Sequence, residues 1–179
     1  IIPCYNSAAT IEAAVKSALA QSEPTNVIVV DDASKDDSVE IVQRLAESEP
    51  RLSLLVQPRN RGPSAARNKA IAHAETPWVA ILDGDDHMHP DRLRRMFHVA
   101  KAENLDIVAD DLIRVDAEPN PETGTRLWSD NPIGLVRIDA ARFARENIDR
   151  NTGSRRELGY LKPLMRKEFL SRHDISYNE

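Results

Sequence analysis

The chain reads as an α/β domain on a mostly parallel sheet, and three observations point that way. Short apolar runs alternate with stretches of helical periodicity through the first 110 residues, joined by brief links, which implies right-handed βαβ units. Residues 26–30 (Asn-Val-Ile-Val-Val) are mostly β-branched, as suits a strand buried on both faces. Residues 78–82 (Trp-Val-Ala-Ile-Leu) run directly into Asp83-Gly84-Asp85-Asp86, placing charge where a strand leaves the core.

Each element follows from its pattern. Ile1-Ile2 is the end of a first strand. Residues 10–21 form an amphipathic helix with Ile11, Val15 and Leu19 a turn apart. After the second strand, Asp36 opens a helix through residue 48, with Val39, Val42 and Leu45 inward and Ile41 beside them. Residues 52–57 are a third strand, 63–73 a third helix and 78–82 the fourth strand. Pro90 starts a helix carrying Leu93, Met96, Phe97 and Ala100, since proline suits a first turn. Residues 107–109 are a fifth strand. Regularity stops after Asp111. Residues 116–132 contain Pro119, Pro121, Gly124 and Pro132 and read as a loop or loose hairpin. Residues 139–146 read as a short helix capped by Asp139, 147–156 as a polar mobile stretch, and 159–165 as a strand leading into a helix over 166–173. The expected organisation is one compact domain in two parts, 1–110 and 111–179.

Bulk properties narrow the function. A chain of 179 residues can bury a proper core. Hydrophobic content of 41% with 30% charged residues excludes a disordered chain. A net charge of -5 argues against nucleic acid as a partner. The single cysteine, Cys4, forms no internal disulfide and fits a reducing, cytoplasmic setting. No apolar run approaches roughly 18 residues, so no membrane-spanning helix is expected, and no signal peptide is visible. The chain starts at Ile1 without methionine and stops at Glu179 without a terminating helix, so it reads as cut at both ends.

Ligands of parallel sheets bind at the carboxyl ends of the strands. The polar clusters there are residues 3–6, 31–36, 57–67 and 83–89, all expected on one sheet edge. Three carboxylates crowd the last cluster, and like charges this close raise each other's pKa unless a cation is present. A divalent metal with oxygen ligands removes that cost and can also hold phosphates. A solvated acidic turn is the plainer reading of an isolated D-x-D. In the second cluster, Ser34 and Asp36 read as helix caps, but capping leaves Asp32 unexplained. A carboxylate there can accept the N–H of a pyrimidine base. Tyr5 offers a flat face for stacking a base, or simply covers the core edge. Asn6 turns the chain. Arg59, Arg61 and Arg67 can meet phosphate or carboxylate, and Arg67, inside its helix, can instead pair with Asp83 or Asp85. His87 and His89 read as solvated or hydrogen-bonding side chains rather than metal ligands.

Pro-x-Tyr-Asn, Val-Asp-Asp-x-Ser-x-Asp, Asn-x-Gly-x-Ser-x-Ala-Arg-Asn and Leu-Asp-Gly-Asp-Asp occur here in the order and spacing of the family 2 glycosyltransferases. The resemblance covers residues 1 to about 110, with an exopolysaccharide-type acceptor-side segment resembled by Gly159-Tyr160-Leu161-Lys162-Pro163. It implies a GT-A fold and inverting, metal-dependent hexosyl transfer from a nucleotide diphosphate donor, a UDP-sugar, to a hydroxyl. The donor site it implies comprises Pro3, Tyr5, Asp32, Arg67, Asp83 and Asp85. Mn²⁺ or Mg²⁺ would sit on Asp85, with Asp86 as a substitute ligand. The acceptor would be a saccharide or lipid-linked saccharide in bacterial surface or exopolysaccharide synthesis. That implies a cytoplasmic protein at the inner face of the membrane, associated peripherally through a longer parent protein. The family's general base is a carboxylate, usually in a Glu-Asp pair. No such pair lies in residues 150–179, and Glu179 matches no motif for it, so the base is expected beyond Glu179.

Three rival readings remain open. An aspartate-based phosphohydrolase also has a strand-end D-x-D, but on its first strand and usually with Thr or Val where His87 stands here. A sugar nucleotidyltransferase has a glycine-rich loop where this chain has Cys4-Tyr5-Asn6. A non-enzymatic fragment would bind the donor without turnover.

Overall fold

The computed structural model describes residues 1–115, 124–126, 134–139, 141–143 and 161–179. They fall into two compact units: Ile1–Val108 with Pro163–Glu179, and Ala109–Lys162. The sequence reading divides the chain near residue 110, whereas the structure returns residues 163–179 to the first unit.

The first unit alternates as its periodicity requires. β1 (Ile2–Cys4), α1 (Ile11–Leu19), β2 (Val27–Asp31), α2 (Ser38–Ala46) and β3 (Leu52–Val56) come first. They are followed by α3 (Pro63–His73), β4 (Trp78–Ala80), α4 (Arg92–Ala102) and β5 (Ile107–Val108). In the second unit, β6 (Ile113–Arg114) pairs antiparallel with β7 (Thr125–Arg126). This matches the loose-hairpin expectation where residues are described. Asp139 takes the Arg142 N–H on its carboxylate at 2.6 Å, as the expected cap does, and residues 141–143 are helical. The expected mobile stretch at 147–156 lies outside the described residues. The chain returns to the first unit through β8 (Leu164–Arg166) and α5 (Lys167–Arg172).

β2 lies between β1 and β3, parallel to both, with Ile2 opposite Val29 and Asp31 opposite Val56. Two backbone bonds carry the sheet past β1. Ile1 N–H donates to the Ala80 carbonyl at 2.9 Å, and Leu82 N–H to the Ile1 carbonyl at 3.0 Å. β8 then runs antiparallel between β4 and β5. Read through those bonds, the strand order is β3-β2-β1-β4-β8-β5.

The two-residue period of β2 sorts the core into layers. Val27 and Val29 face one side with Ile11, Val15 and Val42, from α1 and α2. Ile28 and Val30 face the other with Ala66 and Ala70 of α3, Met165 and Leu170. All five β2 residues are buried, as the unbroken apolar run requires. Alanines let α3 approach the sheet closely. At the far edge, Met96 and Ala100 of α4 meet Val108 and Leu164, and Trp78 packs edge-on against Phe97 at 5.7 Å.

Several boundaries differ from the sequence reading. The fourth strand ends at Ala80 rather than residue 82, because Ile81 N–H reaches the Pro163 carbonyl while Leu82 N–H turns to Ile1. The second helix starts at Ser38 and the fourth at Arg92, each two residues late, since the preceding residues make turns. Among the described residues the fifth strand has no parallel neighbour, because β8 occupies the slot between it and β4. The third helix has the expected bounds.

Candidate functional site

The four polar clusters meet at one sheet edge, held by side-chain to backbone bonds. The loop after β1 is latched to the loop after β2. Asn6 N–H donates to Ser34 Oγ at 2.9 Å, and Lys35 N–H to Asn6 Oδ1 at 2.8 Å. Ser7 N–H donates to Ser38 Oγ and Ala8 N–H to Asp36 Oδ2. Of the two expected caps, Asp36 reaches the first turn of α2, its Oδ1 accepting Ser38 N–H at 3.1 Å and Ser38 Oγ–H at 2.6 Å, while Ser34 does not. Ser34 Oγ and the second oxygen of Asp36 are taken by the loop after β1. The Ser38 hydroxyl, with the Ala8 N–H, holds the Asp36 carboxyl below its usual range. Asn6 (φ 51) and Ala33 (φ 62) take left-handed backbone in these loops. For alanine such a conformation costs about 1–2 kcal/mol, so the surrounding latch over-determines it.

The paired aspartates divide their work. Asp31 makes the turn, accepting Ser34 N–H at 3.0 Å, and its other oxygen is buried with no hydrogen-bond partner among the described residues. Asp32 faces the loop before α3. Its Oδ1 accepts Gln57 Nε2 at 2.7 Å and Arg61 N–H at 2.9 Å, and its Oδ2 accepts Gly62 N–H at 2.7 Å. A carboxylate offers about four acceptor sites; three are occupied, and the second position on Oδ2 has no partner among the described residues. Gln57 opens the 57–67 cluster, but the sequence reading gave it no role of its own. A glutamine ending a strand carries no signal of its own, and its burial at 4% is what reveals the role.

Gly62 has φ 86 and ψ 165, a region close to glycine-only. Space is not the constraint, as no atom lies within 4 Å of where a Cβ would stand. Gly62→Ala is therefore expected to destabilise by about 1–3 kcal/mol through backbone strain, read as a lowered urea midpoint at unchanged m-value.

Of the two partners anticipated for Arg67, the structure selects Asp83, at 2.8 Å from Nη2 to Oδ1. Both side chains are largely covered. Gly84 is buried beneath the end of β1, where a Cβ would lie 3.4 Å from the Pro3 carbonyl and from Ser7 Oγ. Pro3 itself sits mid-strand opposite Val30. Asp85 is exposed at the tip of this turn, Asp86 is half-buried, and His87 and His89 are exposed. Tyr5 is 45% exposed, which leaves its ring accessible for stacking. Among the described residues, no three His, Cys, Asp or Glu side chains gather closely enough to hold a metal by themselves.

The model of Glycosyl transferase family 2 matches residues 1–168. The chain belongs to that family. The succinoglycan biosynthesis protein ExoU of Rhizobium meliloti (strain 1021) is 39% identical over 179 residues, all of this chain and 51% of its own length. ExoO of the same organism is 36% identical over 181 residues, covering 50% of its length. The chain thus spans about half the length of these curated relatives. Among solved structures, S. aureus TarS 1-349 in complex with UDP-GlcNAc superposes with a TM-score of 0.73 at 22% identity, over 99% of this chain and 47% of that one. The GT-A fold expected from the family 2 motifs is therefore the fold observed.

Proposed function

We propose that this chain is the donor-binding part of an inverting glycosyltransferase that moves a sugar from a UDP-sugar to a hydroxyl of a growing saccharide or lipid-linked saccharide. The observation that carries this reading is the convergence of Tyr5, Asp32, the Arg67–Asp83 pair and Asp85 at one sheet edge. Each suits a part of such a donor. The open acceptor site on Asp32 takes the uracil N–H, and the accessible Tyr5 ring stacks the base. Asp83, oriented by Arg67, is fixed to contact the nucleoside and sugar.

The donor set fits a divalent cation shared with the ligand. Mg²⁺ and similar ions bind through one or two carboxylates plus phosphates and water, without an all-protein cage. Asp85, with Asp86 as a substitute ligand, matches that pattern, which does not call for the three-carboxylate or histidine cluster that is absent among the described residues. Bound there, Mn²⁺ or Mg²⁺ would supply Lewis-acid stabilisation of the leaving diphosphate. Inversion also requires a carboxylate to take the proton of the attacking hydroxyl. The relatives are about twice this length, and we assign that base to the portion of such a protein after Glu179.

The relatives named for succinoglycan biosynthesis support the reading that the proposed reaction belongs to bacterial exopolysaccharide assembly. Among the described residues no helix is long and apolar enough to cross a membrane. As part of this proposal, the longer protein meets a lipid-linked acceptor by peripheral association at the cytoplasmic face. The phosphohydrolase alternative is disfavoured, because the D-x-D follows the fourth strand rather than the first and residues 1–168 match the glycosyl transferase family model.

Calorimetry with UDP tests the reading. Binding at one site is expected, strengthened by Mn²⁺ or Mg²⁺ and weakened by chelator. A chain that binds no UDP at millimolar concentration with either metal would overturn it.

A further inference from the structure

The last residues of the chain lie against the candidate site, and no sequence motif accounts for them. α5 ends in a left-handed turn at Asp174 (φ 51). Asp174 N–H bonds back to the Ser171 carbonyl, and Ile175 N–H to the Leu170 carbonyl at 2.9 Å. This pair of bonds is a Schellman closure, and it fixes the direction in which residues 175–179 leave the helix. They run to the N-terminal half of α3.

Three side chains of that region grip the segment. The Asn68 amide pairs with the Tyr177 backbone in both directions: Nδ2 donates to the carbonyl at 2.8 Å, and Oδ1 accepts the N–H at 2.9 Å. Nδ2 also donates to Glu179 Oε1 at 3.1 Å, so both amide hydrogens and the amide oxygen are used. Arg61 forms an ion pair with the other oxygen of Glu179. The Arg67 guanidinium lies 5.3 Å from the centre of the Tyr177 ring, within cation–π range. Tyr177 is half-buried among exposed neighbours, and that burial pushes its hydroxyl up in pKa.

These contacts end on the two carboxylates of the donor site. Arg61 and Gly62 give their N–H groups to Asp32, and Glu179 holds the Arg61 side chain. Arg67 holds Asp83, and Tyr177 covers the guanidinium. We propose that residues 175–179 are a positioning strap, in which Glu179 keeps the residue 60–62 turn on Asp32 and Tyr177 keeps Arg67 on Asp83. The consequence for UDP rests on the donor-site reading above, while the ordering of the turn does not. Glu179 and Tyr177 are positioning residues and touch no reacting atom.

The test compares Glu179→Gln and Asn68→Ala with the unaltered chain by amide hydrogen exchange and UDP calorimetry. An exposed ion pair contributes modestly, so Glu179→Gln is expected to speed exchange of the Arg61 and Gly62 amides about threefold and to weaken UDP similarly. Asn68→Ala removes three hydrogen bonds, and about tenfold is expected for both readouts. Val29 and Val30 amides, in the buried β2, should not change, which separates positioning from general destabilisation. Where Asn68→Ala loosens the whole core, Glu179→Gln decides, since Glu179 and its ion-pair partner Arg61 are both exposed. Unchanged exchange at Arg61 and Gly62 overturns the strap whatever UDP does. Faster exchange there with unaltered UDP affinity overturns its role in donor binding. A parent chain that binds no UDP removes the donor reading, and the exchange result alone then judges the strap.

Discussion

Asp32→Ala is expected to weaken UDP binding at least tenfold and to destabilise the chain at the same time. The two effects have separate origins. In the proposed complex, the open acceptor site on Oδ2 meets the uracil N–H, and losing a hydrogen bond to a charged group costs about 1.5–3 kcal/mol, or tenfold and more in affinity. In the free chain, the same carboxylate accepts three donors. Water can replace it at Arg61, which is exposed, but not at Gln57, which is 4% exposed. The stranded Gln57 amide should cost about 1–3 kcal/mol. Urea unfolding reads the second effect and calorimetry the first. Gln57→Leu separates them, removing the stranded donor from the Asp32→Ala background and recovering stability without recovering UDP affinity. If Asp32→Ala binds UDP as tightly as the parent, the base-binding assignment is lost, and Asp32 is only the fastener of the turn before α3.

That dual role shows what a linear reading reaches and what it misses. The alternation of strands and helices was legible because each β2 residue is buried on one of two faces, and such burial selects β-branched side chains locally. Likewise α3 announces itself by Pro63 at its first position and small residues entering the sheet. The position of β8 was not legible. Its three residues lie more than 80 positions from the β4 partners with which they pair, and nothing in Leu-Met-Arg specifies antiparallel insertion between two other strands. Only competition for unpaired strand edges decides that.

The site shows the same division. Carboxylates at strand ends stand out, because charge beside a buried run demands a reason. Their partners do not stand out. Ser34 and Asp36 looked like caps because serine and aspartate before a helix usually are; Asp36 does reach Ser38 N–H, but the β1 loop takes its second oxygen and the Ser34 hydroxyl. Asn68, Tyr177 and Glu179 are ordinary in sequence and become a connected network only once α3 and the last five residues are side by side. Arg67 lies between these cases. Its position inside a helix, facing a cluster of aspartates, was enough to anticipate an ion pair, and the structure chose Asp83.

That choice bears on the cation. With Arg67 committed to Asp83, positive charge already compensates one carboxylate of the turn, and Asp85 is left facing solvent. No hydrogen bond or ion pair from the Asp85 carboxylate is found among the described residues. Asp85→Asn should therefore leave the unfolding midpoint within about 0.5 kcal/mol of the parent, as surface substitutions do. Its effect should appear in the metal dependence of UDP binding. The amide keeps the shape but loses the charge a hard cation requires, so added Mn²⁺ or Mg²⁺ should no longer strengthen UDP binding. Affinity in saturating metal is expected to fall at least tenfold, about 1.4 kcal/mol, towards the value measured with chelator. Metal-free affinity should be unaltered, because Asp32 and Tyr5 are untouched. Asp86→Asn is the control, with a smaller loss expected if that residue is only a substitute ligand. A variant at Asp85 that unfolds without metal would instead mark a structural aspartate, and one that retains full metal dependence would transfer the cation to Asp86.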